Sequence, residues 1–343
     1  MDDLNLRGWR PIRLHWNGSQ VMVDWALLGD APHLAPFYQQ SVGAQMSKPF
    51  HQAFRRETTL KELLDWQQAS PGLAPCLVVF HVSRCGSTLI PQALAQSLHH
   101  LALSEPAPLD FLARDAVFHG WLDEAQAVDA MRAWLSAWAQ RSDGSSPALH
   151  SVSVKLDAWN TGRAALFSKA WPQAQTAFIT REPLAVLVSQ MRERGFFLVP
   201  GALGESGGLA GLSRLEQAVM PADLFCARML SRIYEDMVVA TDPAHSLVID
   251  HSELPDAIEA RLLPRLKWQP LEPELTAMRE RLTRHGKRPQ ESFSGDTIQK
   301  NDAATERLRE LSREWLKPHY SQLLSGHKHS KEGRFTLMTE TAT

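Results

Sequence analysis

Residues Leu77-Val78-Val79-Phe80-His81-Val82-Ser83-Arg84-Cys85-Gly86-Ser87-Thr88-Leu89 decide how this chain reads. The run 76–80 is short and continuously apolar, as a strand buried on both faces requires. Small residues follow, and then Leu89, Ala93, Leu94 and Leu98 recur at helical spacing, which predicts one inward helix face. Ser83, Cys85, Gly86 and Ser87 are small enough for the backbone to curl so that successive N–H groups point inward. With a helix N-terminus behind them, such donors form an anion nest. Ser87 and Thr88 add hydroxyl donors. Arg84 adds a fixed charge that can grip an oxyanion by two bonds.

This is not a nucleotide-hydrolysing P-loop. That pattern needs an early glycine and a Gly-Lys-Ser/Thr end. Here His81 fills the early glycine position, and Gly86 is followed by Ser87. The missing lysine and the missing Mg²⁺-binding signature speak against an ATP or GTP enzyme. Without that signature, no metal is expected.

Working outward, 101–103, 151–156, 176–180 and 246–250 are strand-like. Between them, 123–140, 183–192 and 221–240 read as helices, the first with Ala127, Met131, Trp134, Leu135 and Trp138 inward. Alternation of this kind predicts an α/β fold with a central, mostly parallel sheet and right-handed crossovers. The first 75 residues read differently. Ile12, Leu14 and Trp16 alternate with polar neighbours, Asn17-Gly18 follows, and Val21, Val23 and Trp25 alternate again. This is a hairpin with a type I′ turn signal. Thr59-Leu60-Lys61-Glu62 has capping-box spacing and opens a helix with Leu60, Leu63, Leu64 and Trp66, ended by Pro71-Gly72. Segment 195–211, with six glycines, is expected to be a mobile loop. The division expected is a tryptophan-rich hairpin/helix module at 1–75, an α/β domain at 76–325 and a flexible tail at 326–343, whose His327 and His329 are read as solvated.

Charge and composition narrow the classes. With 36 Lys+Arg against 38 Asp+Glu the net charge is −2, which excludes a generally basic nucleic-acid coat. Cys76, Cys85 and Cys226 are too few for a disulfide framework, so a reducing compartment and a cytoplasmic location are expected. No run approaches 18 apolar residues, so no membrane span is expected. The surplus is tryptophan, 11 of them.

Ser83-Arg84-Cys85-Gly86-Ser87-Thr88 resembles the 5′-phosphosulfate loop of the sulfotransferase family, which uses 3′-phosphoadenosine 5′-phosphosulfate. Bacterial members with Arg in the basic position are the closest in pattern. The family's second motif pairs an Arg at a strand end with a Ser on the next helix. The stretch 178–190, with Arg181, Pro183 and Ser189, is similar to it. The resemblance covers roughly residues 77–320. It implies a P-loop-like three-layer fold, and it implies Arg181 and Ser189 on the 3′-phosphate. It also implies that adenosine 3′,5′-bisphosphate is the product and a small-molecule hydroxyl or amine the acceptor. A basic, glycine-containing segment near the C-terminus closes over the nucleotide in this family. Here 285–288 and 294–300 look like a diverged version, with Lys300 the candidate contact.

Sulfuryl transfer needs a proton acceptor and cations on the oxygens of the transferred group. Arg84 is the expected stabiliser. The base is expected on the loop after the next strand, where Glu105 stands, stiffened by Pro106 and Pro108. The resemblance supports Glu105, because related bacterial enzymes place a glutamate base after the second strand. His119, His81 and Asp110 are lesser candidates. Lys155 is expected to set an ammonium on the sulfate oxygens, with Asp157 paired to it or to a substrate amine. Trp159 is a candidate for adenine stacking. The competing readings are a non-catalytic nucleotide-binding protein of the same fold and a diverged P-loop kinase. A homo-oligomer is left open, and no nucleic-acid partner is expected.

Overall fold

The computed structural model describes residues 5–30, 33–140, 148–204, 211–242, 245–287, 290–291 and 297–326. The tail, with His327 and His329, lies outside them, as do Arg288 and residues 292–296 of the basic segment and 205–210 of the glycine-rich one.

Five strands form the expected central sheet: β4 (Leu77–His81), β5 (His100–Ser104), β6 (Ser151–Lys155), β7 (Gln175–Thr180) and β8 (Ser246–Asp250). Their order is β5-β6-β4-β7-β8, and every neighbouring pair is parallel. All five residues of β4 are buried, which is why its sequence is apolar without alternation. The chain leaves β4 for β5 and β6 on one side and then crosses to β7 and β8 on the other. The C-terminal end of β4 is therefore a topological switch point, where open α/β sheets bind ligands. The fold is the P-loop-like α/β class anticipated.

The N-terminal hairpin is present as β1 (Trp9–Trp16) and β2 (Val21–Leu27), antiparallel, with Trp16 opposite Val21. Its turn differs from expectation. Asn17 and Gln20 close it through an N–H to carbonyl bond of 3.2 Å, and among the described residues of the turn only Gly18 has a positive φ, of 101°. A type I′ turn needs positive φ at both central residues. A third strand, β3 (Arg55–Thr59), pairs with β2. It carries no apolar alternation, since only Thr58 on it is buried, so periodicity could not reveal it. Thr59 and Glu62 make the predicted capping box for the helix Leu60–Ala69.

Tryptophan docks this small sheet on the rest. The ladder slips between Pro11 and Arg13, which frees the Pro11 carbonyl. Both Trp134 and Trp138, on the helix Glu124–Trp138, donate their indole N–H to it, at 2.8 and 3.0 Å. Trp66 similarly donates to Gln140. One hydrophobic core runs from Leu6 to Leu323. The inward residues expected on 123–140 are all buried. Leu98 is not: the helix after the loop is only Leu89–Leu94, the chain turns, and Leu98 is exposed. No helix among the described residues is long and apolar enough to cross a membrane.

Candidate active site

The loop 82–88 leaves β4 in a strained backbone. Ser83, Arg84 and Gly86 have φ of 66°, 52° and 81°, a left-handed region that costs side-chain-bearing residues energy. Glycine is required at 86 twice over, because a Cβ there would lie 3.0 Å from His251 Nδ1. The curl expected from small residues is thus present, and Ser87 and Thr88 are buried at its base. Cys85 is buried, and burial pushes its thiol up, so it is a packing residue whose backbone belongs to the loop.

The two motifs, about a hundred residues apart in sequence, meet here. Arg84 Nε donates to Ser189 Oγ at 2.9 Å, and Arg84 Nη2 reaches Glu193 at 2.7 Å. Arg181 Nη1 donates to the Arg84 carbonyl at 3.1 Å, and Gln190 donates to Ser83 Oγ at 2.9 Å. Arg181 is itself buried, its Nη2 on Thr297 Oγ1 at 2.8 Å and its carbonyl bonded by Tyr234. Lys300 is buried on the helix Thr297–Asp302, which packs on the helix Pro183–Arg192 that carries Ser189. Arg84 therefore aims along that helix, beside the motif expected on the 3′-phosphate.

On the other flank, Glu105 has φ 54° and its N–H donates to the Lys155 carbonyl at 2.6 Å. Its carboxylate pairs with the Lys155 ammonium, which is almost wholly buried. His81 Nδ1 accepts the Ser83 N–H at 2.9 Å, which places the ring proton on Nε2, 3.3 Å from Glu105 Oε1. Burial works against the Glu105 charge, but the Lys155 ammonium and His81 outweigh it and hold the carboxyl well below the usual carboxylate range. Burial, with Lys155, lowers His81 to about 4, so the ring is neutral. The Lys155 ammonium, expected on the sulfate oxygens with Asp157 as one partner, is paired with Glu105.

Other expected candidates stand apart. His119 is exposed and stacks on Trp121 at 4.6 Å. Asp110 accepts from Arg114, from Trp159 Nε1 at 2.7 Å and from Asn160 Nδ2 at 3.1 Å. Trp159 is held there by its own N–H, and its ring meets Phe197 at 5.4 Å.

Two site residues were not singled out from sequence. Lys287 is within electrostatic reach of Arg84, Glu105 and Lys155, and burial first, then Arg84 and Lys155, lower its ammonium. Phe37, from the N-terminal layer, has Lys155 Nζ at 5.9 Å and Lys287 Nζ at 5.4 Å from its ring centroid. The basic, glycine-containing stretch 285–288 held Lys287 without choosing it, and nothing local signalled Phe37. Gly286 lets this segment lie on the loop, since a Cβ there would meet Thr88 Cβ at 3.2 Å.

No protein-family model matches the chain, and no curated protein does. Among solved structures it is similar to the sulfotransferase STF9 from Mycobacterium avium, with 14% identity, TM-score 0.45 and 81% of each chain covered. It is also similar to a sulfotransferase from Alicyclobacillus acidocaldarius, with 14% identity, TM-score 0.41, 75% of this chain and 96% of that one. A third is the sulfotransferase domain of the curacin biosynthetic pathway, with 16% identity, TM-score 0.38, 74% of this chain and 97% of that one.

Proposed function

We propose that the chain is a metal-independent cytoplasmic sulfotransferase. It moves a sulfuryl group from 3′-phosphoadenosine 5′-phosphosulfate to a hydroxyl or amine of a small-molecule acceptor. The observation that carries this reading is the meeting of the strained loop with Arg181 and Ser189, through Arg84. Two anion-binding elements side by side suit a ligand with two separated phosphate groups better than a single oxyanion.

In this reading the N–H groups of Ser83, Arg84, Cys85, Gly86, Ser87 and Thr88 hold the 5′-phosphosulfate at the strand end and helix start. Arg181, Ser189, Arg84 and Lys300 serve the 3′-phosphate. The acceptor oxygen or nitrogen bonds to sulfur, the bond from sulfur to the phosphate oxygen breaks, and the bisphosphate leaves with that electron pair. Glu105 takes the acceptor proton, and Lys155 holds Glu105 in its strained conformation and supplies positive charge beside the transferred group. The catalytic α/β domain begins near residue 76, and the N-terminal module contributes Phe37 to its edge.

The test is nucleotide binding. Adenosine 3′,5′-bisphosphate is expected to raise Tm without Mg²⁺. Arg84→Ala and Arg181→Ala are each expected to weaken its binding by about 2–5 kcal/mol, the cost of removing one partner of a buried charged contact. Unchanged affinity in both variants sinks the reading. A Tm shift with no sulfation of any acceptor leaves a nucleotide-binding protein without turnover.

A further inference from the structure

Three carboxyl groups gather beyond the C-terminal edge of the parallel sheet: Glu105, Asp110 and Asp157. Two are already satisfied. Glu105 holds the Lys155 ammonium, and Asp110 holds Arg114, Trp159 and Asn160. Asp157 is different. It stands two residues after Lys155, at the N-cap position of the short helix Ala158–Arg163, where a side-chain oxygen ordinarily accepts a backbone N–H. Its carboxyl makes no such bond, and among the described residues no donor is paired with it. It is half-buried, so a ligand can reach it.

A second acceptor in the same cluster is also unfilled. Asn160 is fully buried, its Nδ2 donates to Asp110 Oδ1, and its Oδ1 has no partner among the described residues. The hydroxyl of Ser104, the residue before Glu105 in sequence, is buried and unpartnered as well. Buried acceptors left without donors are costly, so the cluster is built for something that supplies them. Its charge points the same way. The cations facing Asp157 are Lys155 and Arg114, both engaged with other carboxylates. Burial first, and then Glu105 and Asp110, push Asp157 well above the usual carboxylate range. A ligand that repairs the imbalance brings positive charge and several donors. An ammonium has three donors and no acceptor, whereas a phosphate or sulfate has the reverse and is repelled.

We propose that Asp157, with Asn160 three residues on in the same helical turn, is the recognition site for a cationic amine carried by the acceptor. Calling the ligand an acceptor rests on the sulfotransferase reading; the amine preference does not.

Tyramine and 4-ethylphenol share ring and hydroxyl and differ in the ammonium, so they are the probes. Calorimetric titration of the full chain, with and without adenosine 3′,5′-bisphosphate, is expected to show tyramine binding at least about tenfold tighter. Binding is expected to release a proton from Asp157, read as a dependence of the heat on buffer ionisation. Asp157→Asn, folded by its melting curve, is expected to abolish both the preference and the proton release. Equal affinities, no binding of either probe, or a preference that survives Asp157→Asn overturns the proposal. A protein that prefers tyramine but ignores the bisphosphate keeps the amine site and loses the sulfotransferase reading. One that binds the bisphosphate without that preference does the opposite.

Discussion

The strand β4 divides two unlike flanks. On the β7 side, Arg84, Arg181 and Lys300 gather around Ser189 and Thr297, with Glu193 the acid in contact with Arg84. On the β5–β6 side, Glu105, Asp110 and Asp157 gather with Lys155 and Arg114. One flank is basic, and the other carries three carboxyl groups against two cations. A whole-chain charge of −2 averages the two away. The difference teaches that the switch point does more than open a crevice. It lets one loop face two electrostatic environments, each built on its own pair of strand ends, which under the proposed function separates binding from proton transfer.

The largest expected effect tests that separation. Glu105→Gln is expected to lower turnover by about 10²–10⁴, the range for a positioned general base. Bisphosphate affinity, which the proposed function sets on the other flank, is expected to stay within about twofold, since separate sites add nearly independently. A melting curve checks that Lys155, left without its counter-charge, has not unfolded the protein. Normal turnover removes Glu105 from its role, and a joint loss of turnover and affinity breaks the comparison itself.

The next effect is on stability and comes from histidines beneath the site. His81 and His100 are buried, and burial lowers them to about 4 and about 3. His100 is locked between the Ser151 and Ser153 hydroxyls, both at 2.7 Å. Folded values below the unfolded value of about 6.5 mean that the unfolded chain binds more protons. The contribution is complete above that value and is lost as pH falls through the folded values. Each is worth roughly 3 kcal/mol or more at its limit. Tm is expected to drop steeply between about pH 6.5 and 4, and a flat profile there would place both rings in solvent.

Most of this architecture is legible in the sequence where one physical signal dominates. The run 76–80 reads as a buried strand because nothing polar can face out of it, the structure sets that strand at Leu77–His81, and the small residues after it declare the turn. Thr59 and Glu62 announce their cap by spacing alone. Legibility ends where a residue's role depends on a distant partner. Arg55–Thr59 is a strand because β2 offers it a ladder, not because its side chains alternate. Phe37 reaches Lys155 and Lys287 only after the N-terminal sheet has docked through Trp134 and Trp138. Lys155 and Asp157 look like natural partners in sequence, yet the strained Glu105 takes the ammonium first.

That last outcome gives the smallest and most discriminating prediction. Asp157 has a folded value raised by burial and by two neighbouring carboxylates. A raised carboxyl stabilises nothing at high pH: its contribution is intact below the unfolded value of about 3.9 and is lost as pH rises through the folded one. Asn has nearly the shape of the protonated acid and cannot ionise. Asp157→Asn is therefore expected to raise Tm at pH 8 by about 2 °C, the shift that roughly 1 kcal/mol produces in a large domain, and to leave it unchanged at pH 3. A gain of that sign marks a residue kept at a cost to stability, as a binding group often is. A loss at pH 8 would mean that the ionised carboxyl already has its counter-charge within the fold, and the acidic flank would then be as self-sufficient as the basic one.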